Sequence, residues 1–390
     1  MKRICFLVDS IFSFGGVQRV TSVIAKELAR DYNVTIVTFD PPQTKDTSMY
    51  RLEEADLKYR FFAYPRISRL KQNCCRLYSA VYRKLRLQSR WASDLYALSS
   101  FPSELRNALA EELRQGKYDV IVGVHAPLAA RLATLRRQLP GVRLLGWSHN
   151  SFEALFGKSS LYIGPEIKRH YVYQFRKLDK VVLLCQHDVT TYRQYDPAFT
   201  PLYIYNPLTL TPGQCSDGSS RRFLAVGRFS HQHKGFDLLI KAFSLFAAED
   251  SEWQLDIVGE GEEEQLYRTL IKTSHLEDRV HIHPFTNDIQ AYYSQAQVYV
   301  LSSRWEGFGL VLVEAMSHGL PVVSSNLPTS LEILGDFGIY FENGHAEALA
   351  RQLKAATRID WPAKSREAIA IAHRFDVDGI IGKWKSIIGQ

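Results

Sequence analysis

Cysteine is scarce in this chain and falls into no paired pattern: Cys5, Cys74, Cys75, Cys185 and Cys215 are five in number, and none stands in a C-x-x-C spacing. A disulfide-built secreted scaffold and a thiolate metal site are thereby excluded, and a reducing, cytoplasmic setting is expected. Long apolar runs are missing too. No uncharged stretch nears the roughly 18 residues of a membrane span. The run that follows Lys2 and Arg3 stops after five residues, Ile4 to Val8, which reads as a buried strand and is too short for a secretion signal. Two nucleotide signatures are absent. There is no Walker loop, and Gly259 and Gly261 lack the third glycine of a dinucleotide fingerprint because residue 264 is Glu264. With 46% hydrophobic and 23% charged residues and no low-complexity tract, the chain has a globular composition.

What is present is an alternation. At 390 residues there is room for two domains with separate cores. Short apolar strands alternate with helical patterns from end to end, which predicts α/β layers around parallel sheets. In the first half, strands are predicted at Ile4 to Val8, Val34 to Phe39, Val120 to Val124, Leu144 to Trp147 and Val181 to Leu184. The stretch from Tyr205 to Ser220 collects Pro, Gly, Ser, Asp and Thr without periodicity, as an interdomain linker does. The pattern then restarts at Phe223 to Val226, Leu255 to Val258, Val280 to His283, Val298 to Leu301 and Val322 to Ser324. Ligands of such doubly wound sheets bind beyond the carboxyl ends of the strands, so two facing domains are expected to form a cleft.

One segment lacks acid altogether. Leu57 to Ser93 holds ten of the 48 Lys and Arg and no Asp or Glu, leaving 38 basic against 41 acidic residues elsewhere. Within it, Leu70, Cys74, Leu77, Val81 and Leu85 keep helical spacing, with Tyr78, Tyr82 and Trp91 nearby. Arg69, Lys71, Arg76, Arg83, Lys84, Arg86 and Arg90 are interleaved with them. Such a helix can lie on an anionic membrane, bind nucleic acid, or pack its stripe on the core and solvate its basic face. Aromatic residues among the cations suit a bilayer interface, and the expectation is a peripheral protein with no nucleic-acid partner.

The residues that carry chemistry cluster in the second half. Glu306 and Glu314 stand eight apart across the turn Gly307-Phe308-Gly309 and the apolar run that starts at Leu310. A helix starting there aims unpaired N–H groups and a positive dipole end at an anion, with glycine allowing close approach. Glu314 interrupts apolar neighbours and needs a hydrogen-bond donor, which ribose hydroxyls could supply. The bland alternative is a glycine-turn helix with one surface and one half-buried Glu. Arg228 and Lys234, six apart in the loop Gly227 to Gly235, place a bidentate fork and a movable cation where a diphosphate could sit. Gly15 and Gly16 follow the first strand and could turn amides to a phosphate. His149 ends a strand in Trp147-Ser148-His149-Asn150, and reads either as a structural histidine or as a group facing the cleft. His231 with His233, and His281 with His283, have metal-pair spacing but no carboxylate or Cys beside them in sequence.

In this order the pieces resemble the retaining glycosyltransferases of family 4, over most of the chain and most strongly from Gly227 to about Phe341. Glu306 and Glu314 match the family's E-x7-E motif, Arg228 and Lys234 its diphosphate pair, Gly15 and Gly16 its N-terminal loop, and His149 its inter-domain histidine. The resemblance implies the GT-B fold. Residues 1–206 and 375–390 would form an acceptor-side domain and 207–374 a nucleotide-sugar donor domain, with the C-terminal helix crossing back to the first.

It also implies a retaining transfer of a hexose or N-acetylhexosamine, with a UDP-linked donor by family habit, to a hydroxyl acceptor. A lipid-linked or surface-polysaccharide intermediate at the inner face of the cell membrane is the expected acceptor. Glu306, His149, Arg228 and Lys234 would be catalytic. Gly15, Gly16, Phe285, Gly307, Phe308, Gly309, Leu310 and Glu314 would join Glu306, Arg228 and Lys234 in donor binding. No metal ion or other cofactor is implied. Two positions depart from the family pattern, Gln18 for an acidic residue and Asn206-Pro207 for Asn-Gly. Asp376-Val377-Asp378 is read as the start of the C-terminal helix, not as a metal motif. An epimerase or phosphorylase of the same shape, or a non-catalytic membrane scaffold, are the competing readings.

Overall fold

The computed structural model describes residues 1–87, 89–157, 160, 162–210 and 213–389, with His231 and Gln232 described in backbone only. Thr211 and Pro212 of the expected linker, the side chain of His231 and the final residue of the expected 375–390 return lie outside the described residues. The chain divides into two units, Met1–Asn206 with Ile380–Gln390, and Pro207–Gly379.

The first unit is a seven-stranded parallel sheet in the order β3-β2-β1-β4-β5-β6-β7. Its strands are β1 Arg3–Val8, β2 Asn33–Thr38, β3 Leu57–Phe61, β4 Val120–Val124, β5 Arg143–Trp147, β6 Lys180–Leu183 and β7 Leu202–Tyr203. Central β1 pairs Ile4 with Val34 on one side and with Val120 on the other. Helices α1 Gly16–Leu28, α2 Arg69–Leu85, α3 Arg90–Ser100, α4 Ser103–Gln115 and α5 Ala126–Thr134 are among those that connect them.

The second unit is a six-stranded parallel sheet in the order β10-β9-β8-β11-β12-β13. It is built from β8 Arg222–Val226, β9 Gln254–Val258, β10 Val280–His283, β11 Val298–Leu301, β12 Val322–Ser325 and β13 Ile339–Phe341. Strand order reverses between β8 and β11, the place where doubly wound sheets bind ligands. The terminal helix Val377–Gly389 opens within Asp376-Val377-Asp378 and contributes its residues from Ile380 onward to the first unit. There Trp384, fully buried, meets Trp147 with ring centroids 4.7 Å apart.

All ten predicted strands form, and three were missed: β3, β7 and β13. Each is a sheet edge and mostly half-buried, so none carries the continuous apolar run that marks a strand covered on both faces.

The basic segment departs from expectation in its orientation. On α2 it is the leucine stripe that faces solvent: Leu70 is 77% exposed, Leu77 67% and Leu85 63%, with Trp91 of α3 at 73%. Tyr82 is buried instead and stacks on Tyr96 of α3 at 4.4 Å. The reading in which the stripe packs on the core is thereby corrected. The seven cations also separate. Lys71 donates to Ser103 Oγ at 2.7 Å and pairs with Glu104 at 2.6 Å. Arg83 Nε donates to Tyr96 Oη at 3.2 Å, and the Arg90 guanidinium lies 5.8 Å from the Tyr173 ring centre. Each of these three has a partner within the unit itself. Arg69, Arg76, Lys84 and Arg86 are exposed and have no ion pair among the described residues. No helix among the described residues is long and apolar enough to cross a membrane.

Candidate active site

The loops that follow β8 and β11 meet at the reversal point of the second sheet. After β8 the chain runs through Gly227 and Arg228 to a helical turn, His231–Lys234, closed by Gly235 in the left-handed region at φ 65°. A Cβ on Gly235 would stand 2.2 Å from the Ser302 carbonyl oxygen, so only glycine lets the two loops touch here. Ser302 Oγ donates to the Lys234 carbonyl at 2.8 Å, and the Arg304 amide donates to the His233 carbonyl at 2.8 Å. Arg304 is tied further by a bidentate pair with Asp237, at 2.9 and 2.8 Å.

This scaffold brings Lys234 to Glu306. The ammonium donates to Glu306 Oε1 at 2.6 Å, and the Ser303 hydroxyl donates to the same oxygen at 2.6 Å. His233 Nε2 stands 3.8 Å from the other oxygen, and its ring stacks on Trp305 at an interplanar angle of 8°. Glu306 is buried, with 7% of its surface exposed. Burial by itself would raise its carboxyl pKa, but the Lys234 ammonium and then His233 outweigh it and hold the group well below the usual carboxylate range. Glu306 is therefore an ionised, oriented acceptor of hydrogen bonds. The sequence treats Lys234 and Glu306 as separate ligand contacts; the structure makes them one ion pair. Ser303 and His233 were not singled out for this site, because only the fold brings them to the carboxylate.

Gly309 sits at φ 87° and starts the helix Leu310–Ser317 without a side-chain cap or an acidic residue in its first turn. Its leading amides and dipole are arranged to attract negative charge. The Phe308 ring is buried against Phe375, at 5.8 Å between centroids, which leaves backbone rather than ring for a ligand at this position. Gly307 joins the turn, and Phe285 is half-buried in the loop after β10.

Glu314 is fully buried on the helix, and the Tyr293 hydroxyl donates to Oε2 at 3.0 Å. The protein thus supplies one of the donors assigned from sequence to a ribose, which is a correction. Tyr293, on the helix Ile289–Gln295, is far from Glu314 in sequence and carried no signal. Both carboxylates act on Tyr299. It is fully buried, and its phenol is pushed up first by that burial and then by the charges of Glu306 and Glu314.

The other expected residues divide. Arg228 is exposed in the same loop as Lys234 and has no ion pair among the described residues. His283 Nε2 lies 2.8 Å from Asp256, which also receives Arg222 at 2.9 Å. The carboxylate missing beside His281 and His283 in sequence thus comes from the neighbouring strand, and it serves an ion-pair cluster. Among the described residues no three His, Cys, Asp or Glu stand close enough to hold a metal.

In the first unit the reversal point lies between β1 and β4. The Gly15 amide there donates to Tyr50 Oη at 2.9 Å, while Gly16 opens α1. His149 is buried beyond β5, its ring 4.1 Å from Trp147 and 5.4 Å from His125. Burial, and next the nearby His125, press its pKa well below 6.5, so it is a neutral imidazole. His125 follows β4 at φ 73°, an uncommon conformation for a residue with a side chain. No sequence motif marked it; it takes the sheet order to show that it lies at the reversal point.

Comparison with known proteins agrees with this architecture. The family model described as Glycosyltransferase Family 4 matches residues 14–208, and that described as Glycosyl transferases group 1 matches residues 214–374. The chain is 26% identical over 398 residues to an uncharacterized glycosyltransferase of Haemophilus influenzae, covering 100% of both chains. It is 25% identical over 403 residues, again covering 100% of both, to the amylovoran biosynthesis glycosyltransferase AmsD of Erwinia amylovora. Its fold is similar to that of Anabaena Alr3699/HepE, solved in complex with UDP and glucose, at a TM-score of 0.75 and 21% identity over 100% of each chain.

Proposed function

Since the chain belongs to glycosyltransferase family 4 and has the GT-B fold, we propose that it moves a hexose or N-acetylhexosamine from a UDP-linked donor to a hydroxyl acceptor with retention of configuration. The observation that carries the reading is the ionised Glu306, held by Lys234 and Ser303 beside an uncapped helix start.

The donor's diphosphate would lie on the amides at Gly309 and Leu310, with Arg228 beside it. Lys234 keeps two ammonium hydrogens for a phosphate oxygen while the third holds Glu306. Glu306 would accept hydrogen bonds from the sugar hydroxyls, and Glu314, steadied by Tyr293, would accept from the ribose. In the transfer, the bond from the anomeric carbon to the phosphate oxygen breaks and its electron pair leaves with the diphosphate. The acceptor oxygen forms its bond on the same face, and its proton passes to the departing phosphate oxygen. Cations and helix amides stabilise the negative charge that grows on the leaving group. No metal is assigned to this step.

The acceptor we assign is a lipid-linked glycan intermediate of surface polysaccharide assembly. The outward leucines of α2, with the exposed Arg69, Lys84 and Arg86 on or next to the same helix, support a peripheral seat on an anionic membrane. Nucleotide-sugar titrations followed by ligand-detected NMR identify the donor, and turnover with that donor tests the site. Glu306→Ala and Lys234→Ala should each lower transfer by about a hundredfold or more. Transfer at the parental rate in both variants would remove the assignment, and an epimerised nucleotide sugar without nucleotide release would replace it with an epimerase.

A further inference from the structure

The basic segment does more than face solvent, for behind α2 it walls a cavity. An open space of about 410 Å³ lies between α2 and α3, with Arg76 and Arg83 in its lining. Arg83, Tyr96 and Ser100 also line an adjoining space of about 170 Å³, which is walled on its far side by Arg131 of α5. The two therefore form one groove with three guanidinium groups. No Asp or Glu lines either part. Arg83 makes a long ion pair with Glu166, at 4.0 Å, and Arg131 acts on Asp9, the residue that follows β1.

We propose that this groove seats the phosphate or diphosphate group of the acceptor. Three guanidinium groups line a concavity whose own lining holds no carboxylate, one of them, Arg76, with no ion pair among the described residues, and the planar fork of Arg matches phosphate oxygens in pairs. The volume falls in the range of small-ligand sites, about 300–1,000 Å³ when the two parts are taken together. Position supports the assignment. The leucines occupy the opposite face of the same helix, so α2 meets apolar chains on one side and a charged headgroup on the other. Arg131, in the groove lining, and His125, at the carboxyl edge of the sheet beside the reversal point, both act on Asp9, and the His125 ring is 5.4 Å from His149. An acceptor anchored by its phosphate here has its glycan directed to that edge. The inference rests on the transferase reading for the word acceptor, though not for the anion.

Isothermal titration of the full chain with farnesyl diphosphate, inorganic pyrophosphate and farnesol tests it. Both diphosphates should bind and farnesol should not. Arg76→Ala and Arg131→Ala should each weaken diphosphate binding by about tenfold, the loss of one charge-assisted hydrogen bond. Arg76 is exposed and its loss is not expected to disturb packing, whereas Arg83→Ala would also remove the bond to Tyr96. Lys234→Ala, in the donor loop, should leave farnesyl diphosphate binding intact. Tighter binding of the prenyl compound than of pyrophosphate assigns the groove to a lipid headgroup, and equal binding assigns it to a free phosphate group. Absence of diphosphate binding, or a loss seen only in Lys234→Ala, overturns the proposal. Titration of the same protein with UDP stands apart: if UDP fails to bind while the diphosphate does, it is the donor reading that fails and not the groove.

Discussion

Glu306 is a buried carboxylate whose charge depends on one lysine, which makes its surroundings testable residue by residue. Its folded pKa lies below its unfolded one, so its pairing stabilises the fold above the ordinary carboxylate range and the gain is lost as pH falls through that range toward the depressed value. Lys234→Ala strands the charge. It should cost about 3–5 kcal/mol in denaturant unfolding at pH 7, and the deficit should shrink on acidification as the lone carboxyl takes up a proton. A deficit independent of pH would mean that the ion pair does not hold Glu306. Tyr293→Phe keeps the ring and removes only the donor to Glu314. It should cost about 1–3 kcal/mol and raise the KM for the donor more than it lowers kcat, whereas an unchanged KM would detach Glu314 from donor binding.

Loops and single helices set the geometry at the next scale. Gly235→Ala puts a methyl group against the Ser302 carbonyl at a φ of 65°, so the loop carrying Lys234 must move away from the strand end that carries Glu306. A loss of about 1–3 kcal/mol is expected, together with a fall in transfer, and wild-type turnover would show that the two loops need not touch. For α2, Leu77→Glu with Leu85→Glu should abolish flotation with anionic vesicles while leaving the melting temperature within about 2 °C, as for exposed positions. Persistent flotation would mean that the stripe does not insert. How legible each element was in the sequence follows from its burial. Strands covered on both faces, such as β1 and β11, announce themselves as apolar runs, whereas the edge strands β3, β7 and β13 do not. The periodicity of α2 was visible as well. Which side it turned inward was not, because tyrosines and leucines both satisfy an apolar pattern and only the Tyr82–Tyr96 stack distinguishes them.

At the scale of the whole molecule, the first unit depends on the end of the chain. Trp384 packs on Trp147, which in turn lies against His149. Trp384→Ala should therefore cost about 3–5 kcal/mol and reduce turnover, although residue 384 is remote in sequence from His149; full activity would show that this packing does not position the imidazole. The same unit holds three histidines whose pKa values burial lowers from 6.5: His125, His149 and His170, the last to about 4. The unfolded chain binds more protons at these sites once pH drops below about 6.5, so stability should decline on acidification through that window. His170→Gln should flatten the slope.

Taken alone, the sequence determined the alternation of parallel strands and helices and the glycine turn between Glu306 and Glu314. It also determined the order of motifs on which the resemblance to the family rests, because period, turn chemistry and spacing are local properties of a chain. Only the tertiary structure decided that Lys234 neutralises Glu306, that Tyr293 satisfies Glu314, that Tyr50 accepts from the Gly15 amide, and that arginines of α2 and α5 share a groove. Each of those joins groups far apart in sequence, and a hydrogen bond or an ion pair exists only where folding has brought its two ends within a few ångströms.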